Sequence, residues 1–274
     1  MLFSLGFVAM FVIGGISGVM HSVAPSDTQQ SDTYFIVAHL HYVLFGGSIF
    51  GLFAGFYYWW PKVFGRVLNE VVGKINFWLI FIGFNVTFFP MHFLGLDGMP
   101  RRVYTYAEGQ GWEFWNIFAT VGVFIIGLGV FAFIQNIWHS HRHGEKAPAD
   151  PWDGRTLEWS ISSPPPEYNF ARIPTVKERD AFWHYKYTED SENRPVSIVR
   201  GAAEEPEPEP GSIHMPTPSF YPIILAAGLT LIAGGLLSHI SVSIIGGILA
   251  VDAIYGWAFE PPIEPSANDA DGGH

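Results

Sequence analysis

Two histidines, His39 and His41, occupy a 26-residue stretch, Phe35–Trp60, that contains no Lys, Arg, Asp or Glu. A titratable side chain inside an apolar segment of membrane-spanning length is costly to bury and therefore indicates a functional site. On an α-helix two residues correspond to about 200° of rotation, so the two imidazoles are expected to point to nearly opposite faces. They cannot share one metal ion on a regular helix, but each could bind a separate centre on its own side.

The absence of cysteine narrows the chemistry of such centres, because the chain has no thiolate ligands and no acidic side chain within this span. Haem iron with an axial imidazole is then the natural candidate. The alternative is a pair of buried histidines that hydrogen bond to neighbouring helices. The same absence excludes disulfide scaffolds, cysteine-ligated zinc, iron–sulfur clusters and thiol catalysis.

The overall composition favours a membrane protein. Of 274 residues, 49% are hydrophobic and only 14% are charged, against about 25% charged in a typical soluble domain. The chain has 14 Lys and Arg against 25 Asp and Glu, which gives a net charge of −11. An acidic chain without a basic stripe is a poor candidate for nucleic-acid binding, which needs Lys and Arg to neutralise phosphates, so we set that class aside.

Charge-free stretches define the elements that must position the two histidines. Four of them approach the roughly 20 residues that a membrane-spanning helix needs: Leu2–Met20, Phe35–Trp60, Ile75–Phe93 and Phe114–Trp138. A fifth run, Ser219–Val251, is too long for one span and is expected, with residues 252–259, to form a helical hairpin that turns at Ser238 and His239. We therefore predict an all-α integral membrane protein, a transmembrane helix bundle of about six helices with an irregular extramembrane linker.

These stretches divide the chain into four parts. Residues 1–143 hold four spans, 144–218 form an extramembrane linker rich in Pro and acidic residues, 219–260 form a C-terminal transmembrane hairpin and 261–274 form a polar tail. Within the linker, Glu204–Pro210 is expected to be an extended, solvated spacer. The polyproline-type run Ser162–Glu167 is expected either to dock on a partner or to act as a spacer.

The distribution of Lys and Arg predicts the orientation of the spans, because short loops rich in these residues stay in the cytoplasm. The loop Pro61–Lys74 and the stretch after Trp138 are therefore predicted to be cytoplasmic, and the loop Gly95–Gly111 to lie outside. Arg101 and Arg102 in that outer loop run against the bias. Their position indicates anionic partners.

Three motifs resemble subunit I of the haem–copper cytochrome oxidases. The run D-T-Y-F-I-V-A-H-L-H-Y-V-L at Asp32–Leu44, with F-A-G-F-Y-Y-W-W-P at Phe53–Pro61, is similar to the tenth transmembrane helix of that subunit. T-F-F-P-M-H-F-L-G-L-D-G-M-P-R-R at Thr87–Arg102 is similar to the following helix end and propionate loop. R-T-L-E-W-S-I-S-S-P-P-P-E-Y-N-F at Arg155–Phe170 is similar to the tail after the last helix. The motifs follow the family's order and spacing over roughly residues 1–185.

The resemblance implies roles for individual residues. His39 matches the proximal ligand of the high-spin haem at the oxygen-reducing centre, and His41 matches an axial ligand of the low-spin haem. Arg101 and Arg102 match the pair that binds the haem propionates, which suits guanidinium groups because they recognise carboxylates through two hydrogen bonds. Asp27 matches an acidic residue beside those propionates.

The implied cofactors are two haems, of the haem A type, together with copper and magnesium. Asp32 matches a ligand of the magnesium site at the interface with subunit II, although Ser31 stands where family members commonly carry His. By the same resemblance Met1 falls where the ninth helix begins. The three copper-ligating histidines and the second low-spin haem ligand then belong to a preceding segment, so this chain alone is expected to be inactive.

The resemblance implies the C-terminal part of subunit I of a cytochrome c oxidase in the bacterial inner membrane. Such an enzyme reduces dioxygen to water with electrons from cytochrome c and pumps protons. The implied partners are the N-terminal half of subunit I, subunits II and III, and cytochrome c. Alternatives are a quinol oxidase, a nitric oxide reductase, which fits the arginine loop and the tail less well, and a non-catalytic membrane scaffold that retains the fold. Whether the chain is a fragment or the second half of a split subunit stays open.

Overall fold

The computed structural model describes residues 1–170, 172–192, 194–198 and 218–261. Its helices are α1 (Leu2–His21), α2 (Ala24–Gln30), α3 (Tyr34–Leu40), α4 (Gly46–Phe64), α5 (Glu70–Leu96), α6 (Glu113–His143), α7 (Ala181–Lys186), α8 (Tyr221–Leu237) and α9 (Ile240–Ala258). A five-residue π-helical segment, His41–Phe45, joins α3 to α4. The predicted Glu204–Pro210 spacer and residues 262–274 of the predicted tail lie outside the described residues.

Most of these helices have the length and composition of membrane spans. Within the described residues, five segments are long and apolar enough to cross a membrane: Leu2–His21, Tyr34–Phe64, Glu70–Leu96, Glu113–His143 and Ile240–Ala258. The helix α8 is also apolar but shorter, with 17 residues. The predicted all-α membrane bundle is therefore confirmed. Helices α1 to α7 belong to one compact unit, and α8 and α9 belong to another.

Aromatic side chains form the core of the first unit, where α1, α4 and α5 meet. The ring of Phe3 on α1 stacks on Phe53 and meets Phe77 edge to face, with centroids 4.9 and 5.2 Å apart. Met10 and Phe50 are fully buried in the same cluster. Lipid provides no hydrophobic driving force between helices, so this close packing of side chains holds them together.

Small residues let α5 and α6 approach closely. A Cβ atom on Gly83 would lie 2.8 Å from the backbone nitrogen of Ile126, and one on Gly129 would lie 2.8 Å from Ile80. The buried side chain of Asn76 on α5 donates a 2.8 Å hydrogen bond to the carbonyl of Gly129 on α6. Close approach and interhelical hydrogen bonds are the usual means by which helices associate in lipid.

Much of the segment predicted as a linker is folded onto the end of α4. We call residues 144–166 and 176–198 the α4 cap. It contains a 3₁₀ turn at Leu157–Ser160, helix α7 and the antiparallel strands β1 (Tyr187–Glu189) and β2 (Pro195–Ser197), which pair Tyr187 with Ser197. The side chain of Trp159 is fully buried there, and its Nε1 donates a 3.0 Å hydrogen bond to the Tyr58 hydroxyl.

Lys62 at the end of α4 fastens the α4 cap. Its side chain is buried, and its ammonium donates hydrogen bonds of 2.9, 2.7 and 3.2 Å to the carbonyls of Ala149, Ile161 and Ser162. Gly65 ends α4 in the left-handed conformation, with φ of 65°, and a Cβ there would lie 2.7 Å from Pro164. The polyproline-type run therefore packs against this chain itself.

The second unit is a helical hairpin. Helices α8 and α9 are joined at Ser238 and His239, where the sequence predicts the turn. A Cβ on Gly228 would lie 2.8 Å from the backbone nitrogen of Ala250, so the two helices touch at glycine. The Ser243 hydroxyl of α9 donates a 2.9 Å hydrogen bond to the carbonyl of Ile232.

Candidate functional site

The helix that carries His39 and His41 changes its hydrogen-bonding pattern between the two residues. His39 lies in the last turn of α3, which begins where the Thr33 side chain accepts a 3.2 Å hydrogen bond from the backbone nitrogen of Phe35. His41 begins the π-helical segment, and the backbone nitrogen of Gly46 donates to its carbonyl. Single π-helical turns inside α-helices are frequent at functional sites.

The imidazole of His39 is oriented by α1. Its Nδ1 lies 2.9 Å from the hydroxyl of Ser17, and that hydroxyl lies 2.9 Å from the carbonyl of Gly14. A hydroxyl carries one proton, so both contacts are hydrogen bonds only if Ser17 donates to Gly14 and accepts from Nδ1–H of His39. Nε2 of His39 is then the unprotonated nitrogen. Gly18 leaves room on this side, because a Cβ there would lie 3.1 Å from Cε1 of His39.

The imidazole of His41 faces α5. Its Nδ1 lies 2.7 Å from the carbonyl of Val37, which can only accept, so Nδ1 carries a proton and Nε2 is the unprotonated nitrogen of the neutral ring. The ring stacks on Phe88 of α5 with centroids 4.1 Å apart and planes 16° apart. The two imidazoles thus contact different helices, α1 and α5, in agreement with the opposite faces expected from their spacing. Each has the tautomer that binds a metal through Nε2.

The loop that carries Arg101 and Arg102, which we call the arginine loop, is hydrogen bonded to the residues at the start of α3. The backbone nitrogen of Arg101 donates a 2.8 Å hydrogen bond to the carbonyl of Asp32, and its guanidinium forms an ion pair with the Asp32 carboxylate. The Nε of Arg101 is nonetheless buried without a hydrogen-bond partner among the described residues. The side chain of Arg102 forms no hydrogen bond or ion pair within the same part of the chain. The unsatisfied Nε of Arg101 and the unpaired guanidinium of the next residue, Arg102, fit a ligand that carries carboxylates.

The two predicted acidic site residues lie in separate local networks. Asp27 accepts a 3.0 Å hydrogen bond from the Ser31 hydroxyl and lies 3.7 Å from Nδ1 of His21, whereas Asp32 pairs with Arg101. No group of three His, Cys, Asp or Glu side chains in the described ranges is placed to hold a metal ion. Magnesium prefers about six oxygen ligands, so these residues do not form a magnesium site by themselves.

Two further histidines near the site were missed by the sequence analysis. The ring of His21 lies 5.0 Å from that of His39, and both of its nitrogens are buried with no hydrogen-bond partner among the described residues. The ring of His92 lies 4.9 Å from Phe35, and its Nδ1 bonds the carbonyl of Phe89 at 3.0 Å. His92 lies in the charge-free stretch Ile75–Phe93, so the criterion that selected His39 would also have found it.

Comparison with known proteins gives consistent matches. Residues 1–125 match the family model described as cytochrome c and quinol oxidase polypeptide I. Over 260 residues the chain is 48% identical to cytochrome c oxidase subunit 1 of Bacillus sp. (strain PS3), a match that covers 92% of this chain and 40% of the relative. It is 48% identical over 238 residues to cytochrome c oxidase subunit 1 of Bacillus subtilis (strain 168), covering 86% of this chain and 36% of the relative.

Quinol oxidase subunit 1 of Bacillus subtilis (strain 168) is 46% identical over 239 residues, a match that covers 86% of this chain and 35% of the relative. The chain therefore spans between 35% and 40% of the length of these three curated relatives.

Proposed function

Since this chain belongs to the haem–copper oxidase subunit I family, we propose that it supplies the haem-bearing helix and the propionate-binding loop of a respiratory terminal oxidase. The complete enzyme would reduce dioxygen to water and pump protons across the bacterial inner membrane. The observation that carries the proposal is the pair of imidazoles on α3 and the π-helical segment. The two rings contact different helices, and in each ring Nδ1 has a hydrogen-bond partner, which leaves Nε2 of the neutral ring available to a metal.

His39 would hold the iron of the high-spin haem at the oxygen-reducing centre, and His41 would hold the iron of the low-spin haem. Haem iron, when bound, supplies electron transfer and the reduction of oxygen. The chain's own contribution is to fix the two rings. Ser17 and the carbonyl of Val37 each accept a hydrogen bond from Nδ1–H, which sets the tautomer and increases the basicity of Nε2.

Arg101 and Arg102 would bind the haem propionates. The free Nε of Arg101 and the unpaired guanidinium of Arg102 support this role. Asp27 would lie beside the same propionates. The carboxylate of Asp32 would join a magnesium site only if other chains supply the remaining ligands, because its partner within this chain is Arg101.

The remaining components would come from other chains. The N-terminal portion of subunit I would supply the copper ligands and the second axial ligand of the low-spin haem, and subunits II and III would complete the complex. We propose haems of the A type and cytochrome c as the electron donor. Quinol is the second candidate donor, because the 46% identity to a quinol oxidase subunit 1 is close to the 48% identity to the cytochrome c oxidase subunits.

The test uses the complete complex in native membranes. His39→Ala is expected to remove the high-spin haem signal from the reduced-minus-oxidised spectrum, and His41→Ala to remove or shift the low-spin signal. The signal that each variant retains shows that the complex has assembled. The matched control is His139→Ala, because His139 is exposed near the end of α6. Unchanged haem spectra in both site variants would refute the ligand assignment and favour a non-catalytic scaffold.

A further inference from the structure

The C-terminal hairpin contains one charged residue inside an otherwise apolar span. Asp252 is the only Asp, Glu, Lys or Arg between Tyr221 and Phe259. It lies on α9, six residues before the helix ends at Ala258, which places it about 9 Å from that end at 1.5 Å per residue. Lys and Arg can extend a long side chain to the membrane surface. An aspartate has a single methylene group and cannot reach that far.

Helix α9 has two different faces. The face toward α8 is made of small buried residues, Gly246, Ala250 and Ala253. The opposite face exposes large apolar side chains around the carboxylate of Asp252, and its other members are Ile244, Ile248, Val251 and Tyr255. We call these five residues the Asp252 face. Among the described residues of the hairpin, Asp252 forms no hydrogen bond or ion pair.

Ionisable residues within membrane spans are rare and usually pair with one another. An aspartate in a membrane span without a partner is therefore expected to pair with a group from another chain. Because its charge is negative, that group is expected to be basic. We propose that the Asp252 face docks against a transmembrane helix of a partner chain that carries Lys or Arg at the depth of Asp252. Gly247 at the border of this face allows close approach of the partner backbone. A second copy of α9 in symmetric contact would bring two carboxylates together and is disfavoured.

The test is site-specific photocrosslinking in native membranes with the full chain. A photoreactive phenylalanine analogue at Ile248, one turn from Asp252, is expected to form an adduct with a transmembrane peptide that contains Lys or Arg, identified by mass spectrometry. The matched control carries the analogue at Leu229 on α8. Leu229 is 54% exposed and lies at the depth of Ile248, since its neighbour Gly228 contacts Ala250. The Leu229 probe is expected not to capture that peptide.

Substitutions at Asp252 then test the charge. Asp252→Leu and Asp252→Asn are expected to lower the adduct yield at Ile248 at least tenfold, and Asp252→Glu to retain most of it. Because Asp252→Leu makes the span more apolar, insertion into the membrane is favoured, and equal chain levels in the membrane confirm it. Exchange of charges, with Asp252→Lys and an acidic residue at the partner's basic position, is expected to restore the adduct.

Four outcomes would overturn the proposal. These are an adduct with a peptide that lacks Lys and Arg, an adduct with lipid or with a second copy of α9, a yield that Asp252→Leu leaves unchanged, and no protein adduct at Ile248. None of these results depends on haem content, so the docking proposal and the haem-ligand proposal fail or succeed separately.

Discussion

Ser17→Ala is the sharpest test of how the protein orients its candidate haem ligand. Ser17 is 4% exposed, so solvent has little access to replace its hydroxyl when the side chain is shortened. The substitution leaves Nδ1–H of His39 without the acceptor that now lies 2.9 Å away. An unsatisfied buried donor costs about 1–3 kcal/mol. Because about 1.4 kcal/mol corresponds to a factor of ten in an equilibrium constant, the affinity for a group bound at Nε2 of His39 is expected to fall between about fivefold and 150-fold.

The assay compares the two haem signals within one complex. Excess haem-binding apoprotein captures released haem, and the rate of loss is followed separately for the high-spin and low-spin absorption. We expect Ser17→Ala to accelerate loss of the high-spin haem alone, since His41 is oriented by the carbonyl of Val37. The matched control is Ser22→Ala at the residue that caps the end of α1, whose exposed hydroxyl donates a 2.6 Å hydrogen bond to the carbonyl of Val19. Equal effects on both haems, or none on either, would refute the reasoning.

Two further predictions concern the α4 cap. Trp159→Ala removes a fully buried tryptophan at a cost of about 3–5 kcal/mol, so protease cleavage of the cap in the purified complex is expected to accelerate 100-fold or more. Trp152→Ala, which alters a residue 42% exposed, is expected to have less than a tenth of that effect; equal cleavage rates would contradict the prediction. The second concerns pH. A 2.6 Å hydrogen bond from Lys186 lowers the pKa of Asp153, so the pair stabilises the cap above the ordinary aspartate pKa of about 3.9 and is lost as the pH falls through the lower folded value. Hydrogen exchange of the cap, corrected for intrinsic rates, is expected to accelerate below about pH 4 in the unaltered chain and to accelerate less in Lys186→Met; an acid dependence of the same size in the variant would count against the ion pair.

Sequence patterns predicted the features that depend on residues close together in the chain: the spans, the hairpin turn and the helix faces of the two histidines. The charge-free stretches gave the spans, since a helix must satisfy its own backbone hydrogen bonds in lipid. The polar pair Ser238 and His239 marked the hairpin turn for the same reason. The two-residue spacing of His39 and His41 predicted the opposite faces, because two residues of an α-helix correspond to about 200° of rotation.

Features that depend on contacts distant in sequence were not predictable. The α4 cap looks like a solvated linker in composition, but Lys62 fastens it through carbonyls 87 to 100 residues further along the chain. The hydropathy pattern of the sequence does not predict the π-helical segment. This segment ends where α1 packs closely against the start of α4, since a Cβ on Gly46 would lie 2.7 Å from Cβ of Met10. That both ring nitrogens of His21 are buried without a hydrogen-bond partner among the described residues likewise depends on α1 lying beside α3.

The loop that carries Arg101 is hydrogen bonded to the start of the helix that carries His39. The backbone nitrogen of Tyr34 donates a 2.9 Å hydrogen bond to the carbonyl of Met99, and that of Arg101 donates to Asp32 at 2.8 Å, so the loop is attached to the first residues of α3. His39 follows Tyr34 by five residues, about 7.5 Å along the same helix. A cofactor held by iron at His39 and by carboxylates at Arg101 would therefore contact α3 and a loop that is hydrogen bonded to the start of the same helix.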